Sequence, residues 1–172
     1  TTYLNCITYQ TQQNFIKSIS KGLEKLGIEA ALYLLKADGG TIPLQKSKQQ
    51  PITTVNSGPA ASIMGILALE QPAETTIGVD IGGTTTDISL FVNHTPVFKP
   101  QGIEVQNYKT SIQGLYNVSI GCGGDSVVHI KDDQLKIGPE RKGPAAALGG
   151  DAPTPTDALI ILDKLTAGDE DK

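Results

Sequence analysis

Two carboxylates, two glycines and three threonines follow one another in Asp80-Ile81-Gly82-Gly83-Thr84-Thr85-Thr86-Asp87. β-rich runs flank this stretch, Thr75 to Ile81 before it and Thr85 to Val92 after it, so it reads as a hairpin. Glycine has no side chain, so Gly82 and Gly83 let the chain turn sharply and bring backbone N–H groups to an anion. Thr84, Thr85 and Thr86 add hydroxyl donors. This is the composition of a phosphate-binding turn. A carboxylate beside a phosphate is repelled unless a cation stands between them. Asp80 therefore reads as a ligand, direct or through water, of a Mg2+ carried by a nucleotide. Asp87 has two readings: a second catalytic carboxylate, or a residue that orders the hairpin by accepting backbone N–H groups. The chain has no Gly-Lys-Ser/Thr, so this is not a Walker loop. A strand follows the glycines where a dinucleotide fingerprint needs a helix.

Other residues have a chemical and a plain reading side by side. Ser57 opens a helix whose positive N-terminal end suits phosphate, and a simple N-cap explains it as well. Asp38-Gly39-Gly40 is either a substrate or hinge loop, or an ordinary turn. Cys122 lies in a glycine-rich loop with no His near it in sequence, which favours packing over nucleophilic chemistry. His129 alternates with apolar neighbours and reads as structural. Asp132-Asp133 reads as a hairpin turn.

The elements that must position these residues follow from pattern. Phe15, Ile16, Ile19, Leu23 and Leu26 predict an amphipathic helix over 11–26, stopped by Gly27. A short strand is expected from Ala30 to Leu35, then an irregular stretch over 41–56. Ser57 caps, and Pro59 starts, an apolar helix from Ala60 to Leu69, expected to be buried on all sides. After the phosphate hairpin come a turn at Asn93 to Pro96 and a third strand, Val97 to Lys99. Residues 100–115 give no clear pattern. A strand from Val118 to Gly121 leads into Gly121-Cys122-Gly123-Gly124-Asp125. Val127–Ile130 and Gln134–Ile137 form another hairpin. Residues 138–153 read as a long loop, Thr156 as the cap of a last helix over Asp157–Leu165, and 166–172 as a frayed acidic tail.

The chain has 172 residues with 38% hydrophobic and 19% charged, enough to bury a core as one domain. A net charge of −4 with dispersed Lys and Arg argues against a nucleic-acid partner. No apolar run approaches the ~20 residues that cross a bilayer. Cys6 and Cys122 are far apart and read as free thiols in a reducing cytoplasm. Sequons at Asn93 and Asn117 carry no weight without a signal peptide.

The segment Ile77 to Phe91 resembles the second phosphate motif of the actin, sugar-kinase and heat-shock chaperone ATPase superfamily. Ser57 to Leu69 resembles the connecting helix that precedes it, and Gly121 to Ser126 the later Gly-Gly turn that approaches the phosphates. A closer resemblance is to the hydantoinase A/oxoprolinase family. It rests on Ala37-Asp38-Gly39-Gly40, Asn56 to Ala61, the Asp80 to Asp87 hairpin, Ser119 to Ser126, Ile137-Gly138-Pro139-Glu140 and Pro155-Thr156-Asp157-Ala158, in the family's order. The resemblance implies an α/β fold, a ribonuclease H-like/actin-like ATPase lobe with a mixed sheet, β-hairpins and flanking helices. Residues 1–172 are then a single lobe, a piece of a longer protein, with the first phosphate motif upstream.

The same resemblance implies ATP and Mg2+, a cyclic amide such as a hydantoin or 5-oxoproline, and a hydantoinase B-type partner subunit. The reaction expected is phosphorylation of the amide oxygen followed by attack of water. Asp80 would serve Mg2+, Gly82, Gly83, Thr84 and Thr85 the phosphates, with Gly123, Gly124 and Ser57 as neighbours and Asp87 as a further catalytic carboxylate. The chain alone is expected to be inactive and to bind ATP weakly. Many members carry a Cys-Tyr pair after the Gly-Pro-Glu segment, where this chain reads Arg141 to Gly150, so it resembles a branch whose substrate is open. The alternatives are an acetone-carboxylase-like subunit that phosphorylates a ketone or bicarbonate, and an ATP-driven conformational switch of the chaperone or actin type.

Overall fold

A long first helix, α1 (Thr2–Lys25), starts well before the period that predicts it. Its inward stripe shows why. Leu4 and Ile16 are buried, but between them Asn5 accepts the Ile52 N–H at 3.1 Å and Gln12 donates to Ser47 Oγ at 3.1 Å. A half-polar stripe hides helical periodicity. The computed structural model describes residues 2–70, 72–105 and 107–166. They fall into two compact units, one of 1–78 with 89–116 and one of 79–88 with 117–172.

In the first unit Gly27, at φ 66°, ends α1, as the sequence predicts. The strands β1 (Tyr33–Leu35) and β2 (Thr41–Pro43) pair antiparallel around the Asp38-Gly39-Gly40 turn. The stretch 41–56 is more regular than expected. It holds β2, a short helix α2 (Leu44–Ser47) and a 3-10 turn at Pro51–Thr54. The helix α3 (Ser57–Leu69) begins at Ser57 itself, and its cap is Asn56, in the left-handed conformation at φ 63° with no side-chain cap bond. Asparagine tolerates that conformation better than most residues. The expected burial on all sides is not found. Ala60 and Ile63 join Phe91 and Leu115 in a core cluster, while Leu69 is 83% exposed.

Strands β3 (Thr75–Ile81) and β4 (Thr86–Val92) form the predicted hairpin, and each contributes residues to both units. In the first unit Phe91 is fully buried. Gly78 has no room for a side chain, since a Cβ there would lie 2.6 Å from Ser89 Oγ. Asn93 and His94 turn the chain at positive φ into β5 (Thr95–Pro96). The third strand thus stands earlier than Val97–Lys99, where Phe98 makes one bridge to Leu115. β6 (Glu104–Val105) and β7 (Tyr108–Lys109) form a small hairpin in the stretch without pattern.

In the second unit β8 (Asn117–Ile120) pairs with β4. β9 (Val128–Lys131) and β10 (Gln134–Ile137) form the expected hairpin, with Asp132 and Asp133 at φ 53° and 56°. The glycine-rich loop after β10 is built. It contains a 3-10 turn at Ala146–Leu148 and returns Pro153 O to the Val128 N–H at 2.8 Å. The last helix, α4 (Pro155–Ile161), is shorter than predicted, and its cap is Thr154, not Thr156. Asp157 closes the capping box: its carboxylate accepts the Thr154 N–H at 2.7 Å and hydroxyl at 2.9 Å. It also takes the Ala146 and Ala147 N–H groups at 3.1 and 2.8 Å, which holds the 138–153 loop to the helix start. Of the predicted frayed tail, only Thr166 is among the described residues.

Candidate functional site

The second unit contains nearly all the predicted site residues. The Gly82 N–H donates to Thr85 O at 2.9 Å and closes the hairpin turn. That register sets Asp80 across from Asp87, and facing residues of a pair share a face of the sheet. Among the described residues Asp87 accepts no backbone N–H, which one reading expected it to do. Its carboxylate takes Thr85 Oγ1 at 3.2 Å and Asn117 Nδ2 at 3.4 Å.

The loop Gly121 to Asp125 lies against this turn through its backbone. The Gly124 N–H donates to Gly82 O at 2.9 Å and the Asp125 N–H to Gly83 O at 2.7 Å. Thr86 Oγ1 donates to Cys122 O at 2.7 Å, and the Gly123 N–H to Ser126 Oγ at 2.8 Å. Thr156, freed from capping, donates its hydroxyl to Gly124 O at 2.8 Å and its N–H to the same oxygen at 3.0 Å.

Gly123 is required by this close approach. A Cβ on Gly123 would stand 2.5 Å from Gly82 O and 2.6 Å from Gly83 O. A Cβ on Gly83 would stand 2.6 Å from Asp125 Oδ2. The Gly123 contacts are with backbone, so no other residue fits there without displacing a turn, whereas at Gly83 the contact is with the end of the Asp125 side chain.

The bonding has a chemical consequence. The carbonyls of Gly82 and Gly83 are both consumed by the second loop. The N–H groups of Gly83 and Thr84 have no protein acceptor among the described residues. A turn whose acceptors are used and whose donors are open attracts an anion.

Sequence reasoning missed Arg141. Its guanidinium donates to Thr84 Oγ1 at 2.9 Å and to Asp125 Oδ2 at 2.6 Å, joining the two turns from outside. One signal could have found it: it is the one arginine of the sequence, within a loop of Gly, Pro and Ala.

Ser57 lies in the first unit, as the first residue of α3. Cys6 and Cys122 are free, as expected, and Cys122 contributes its carbonyl. His129 is exposed in β9 opposite Lys136. Among the described residues no group of three or more His, Cys, Asp or Glu is placed to hold a metal ion. None of the described helices is long and apolar enough to cross a membrane.

Residues 1–169 match the family described as Hydantoinase/oxoprolinase. Caprolactamase subunit alpha of Pseudomonas jessenii is 29% identical over 98% of this chain and 25% of its own length. The 5-oxoprolinase of Saccharomyces cerevisiae is 27% identical over 89% of this chain and 12% of its own. A nucleotide-free structure of acetone carboxylase, from work on ATP-dependent acetone carboxylation, superposes with a TM-score of 0.76 at 23% identity. It covers 92% of this chain and 23% of that one, so the two share this α/β fold, the kind expected of an actin-like ATPase lobe. The chain spans a quarter or less of the length of these proteins.

Proposed function

The chain belongs to the hydantoinase/oxoprolinase family, and from that premise we propose that it supplies the second phosphate-binding motif of an ATP-dependent enzyme that opens a cyclic amide. One observation carries the reading: the Gly82–Thr85 turn has its carbonyls taken by Gly124 and Asp125 while Gly83 and Thr84 keep open N–H donors. Phosphate oxygens accept and do not donate, so they match such a turn. Fixed donors of this kind stabilise charge on a transferring phosphoryl group without reorganising.

The residues also fit Mg2+ as nucleotides carry it. That ion keeps several waters and takes one or two carboxylates, so it needs no cage of protein ligands. Asp80 and Asp87 face each other across the hairpin, and like charges directly opposite are unfavourable until a cation joins them. ATP would supply the phosphoryl group that makes the amide carbon electrophilic. Water would add there, the C–N bond would break with the nitrogen leaving as the amine, and a second water would hydrolyse the resulting acyl phosphate to carboxylate and phosphate. Gly82, Gly83, Thr84 and Thr85 are the groups of this chain assigned to the phosphates, with Gly123 and Gly124 holding the turn in shape. The first phosphate motif and a hydantoinase B-type partner subunit belong to the rest of this reading, with a cytoplasmic setting.

Coupled phosphate-release assays on the full-length protein with hydantoins, 5-oxoproline and larger lactams test it. Stimulation by one of these ring amides is expected. The likeness to acetone carboxylase favours a second reading, phosphorylation of a ketone or of bicarbonate. Stimulation by acetone with bicarbonate and by no ring amide would select that reading. ATP cleavage indifferent to every small molecule would leave a conformational switch instead.

A further inference from the structure

We propose that Arg141 is a phosphate-binding residue that also cancels the charge of Asp125, and so admits the nucleotide's phosphates to the turn. The proposal rests on the reading of the turn given above. It starts from a conflict in the geometry. The Asp125 carboxylate occupies the space where a Gly83 side chain would be, with Oδ2 2.6 Å from that Cβ position. The Asp125 N–H, bonded to Gly83 O at 2.7 Å, keeps it there. A fixed anion thus touches the tip of a turn whose open donors suit another anion. Left alone it repels a phosphate.

Arg141 removes the conflict. One terminal nitrogen meets Asp125 Oδ2 at 2.6 Å and the other meets Thr84 Oγ1 at 2.9 Å. A planar guanidinium spans both in one fork, which a lysine ammonium cannot do. Because Thr84 Oγ1 accepts from Arg141, its own O–H is left to donate elsewhere. The guanidinium has five N–H groups, and these contacts account for only some of them. The side chain is 47% exposed, so the remaining donors are open to a ligand. The result is a cluster at the turn tip with cancelled charge, open N–H and O–H donors, and no spare acceptor on the arginine. An oligophosphate is the ligand class it fits.

The test uses calorimetric binding of Mg-ATP to the full-length protein. Arg141→Ala is expected to weaken binding by at least about 30-fold, because a donor is lost and Asp125 is left bare. Asp125→Asn placed on that variant removes the repelling charge and recovers at least about fivefold, short of wild type. Arg141→Lys keeps the charge without the fork and falls between wild type and Arg141→Ala. Circular dichroism melting identifies any variant that fails to fold, and Arg141→Lys then keeps the comparison open. A purely structural clamp behaves differently: Asp125→Asn alone costs as much as Arg141→Ala, and the double variant is no better than either. That result, or wild-type affinity in Arg141→Ala, overturns the proposal. If the folded wild-type protein binds no Mg-ATP, the phosphate reading of the turn itself fails, whatever the variants do.

Discussion

The chain makes two turns at adjacent glycines beside an acid–base pair, and they are built on opposite plans. At Gly39-Gly40 every partner is local. Lys36 and Gly40 exchange backbone and side-chain bonds through Asp38, whose carboxylate takes the Gly40 N–H at 2.9 Å and Lys36 Nζ at 2.8 Å. The Lys36 and Gly39 N–H groups also find carbonyls within the same five residues. At Gly82-Gly83 the partners come from Gly124, Asp125 and Arg141, far along the chain. In the first turn the Lys36, Gly39 and Gly40 N–H groups all find their acceptors within the turn itself. The second spends its acceptors on a distant loop and leaves donors open, at the cost of ordering long stretches of chain. Even the glycines serve different ends. Gly39 is needed for its φ of 81°, whereas Gly123 is needed for room against backbone.

The largest test of this contrast is Asp80→Ala in the full-length protein. Mg-dependent turnover is expected to fall about 10- to 100-fold, the range typical when an outer partner of a metal is removed. The melting temperature should stay within a few degrees, since Asp80 is exposed at the end of β3. Wild-type turnover in that variant would remove Asp80 from the metal. Next in size is a pair of substitutions, Gly123→Ala and Gly39→Ala. A methyl on Gly123 meets two backbone carbonyls that cannot step aside, and overpacking of that kind costs about 1–3 kcal/mol. Mg-ATP binding should go with it, as the turn is pushed out of shape. A methyl on Gly39 meets Met64 Sδ at 2.8 Å, a flexible side chain, so its cost is mainly the left-handed backbone, about 1–2 kcal/mol. Nucleotide affinity there should not change. Equal loss of nucleotide binding in both variants would erase the distinction between the two turns.

The sequence shows the hairpin well because its signals are local: β-rich runs, a glycine pair and threonines within 75–92. The β9–β10 hairpin is legible for the same reason, through Asp132 and Asp133. The start of α1 is not, because Asn5 and Gln12 sit on its inward stripe and bond to Ile52 and Ser47, which no period can announce. The caps of α3 and α4 each stand one or two residues before the position that residue type suggests. Ser57 and Thr156 are good cap residues by type, but Asn56 takes the left-handed conformation and Thr154 has Asp157 three residues ahead. Thr156 is then available to Gly124. Arg141 escapes notice because its role depends on a contact 57 residues away. The motif is visible, then, while the side chain that joins its two turns is not.

Asp157 gives a smaller, pH-dependent effect. Burial pushes its carboxyl up, but the Ala147, Thr154 and Ala146 N–H groups together outweigh it and hold the group below the usual carboxylate range. A depressed acid stabilises the folded state fully above its unfolded value, and that contribution is lost as pH falls through the folded value. The 138–153 loop should therefore loosen only on acidification below the ordinary carboxylate range. Asp157→Ala should cost about 1–2 kcal/mol at neutral pH, as loss of a cap does, and should abolish that acid-dependent step. Hydrogen exchange at the Ala146 and Ala147 amides would report both. Protection unchanged at neutral pH would mean the loop is held by something else.

The smallest effect belongs to the self-contained turn. Asp38 is also held below the usual range: burial raises it, and Lys36 with the Gly40 N–H brings it down further. Yet its ion pair is partly exposed, 28% on each side chain, so solvent screens it. Asp38→Asn keeps an oxygen for the Gly40 N–H and gives up only the charge. The expected cost is about 0.2–1 kcal/mol, confined to low salt, with nucleotide binding unaffected. Removing the charge of Asp125 instead should change nucleotide affinity in the Arg141→Ala background. The same acid-to-amide exchange, made beside two glycine pairs, thus separates a turn that is complete from one that waits for an anion. Should Asp38→Asn alter Mg-ATP binding as much as Asp125→Asn does in that background, local closure would no longer explain why one turn is inert.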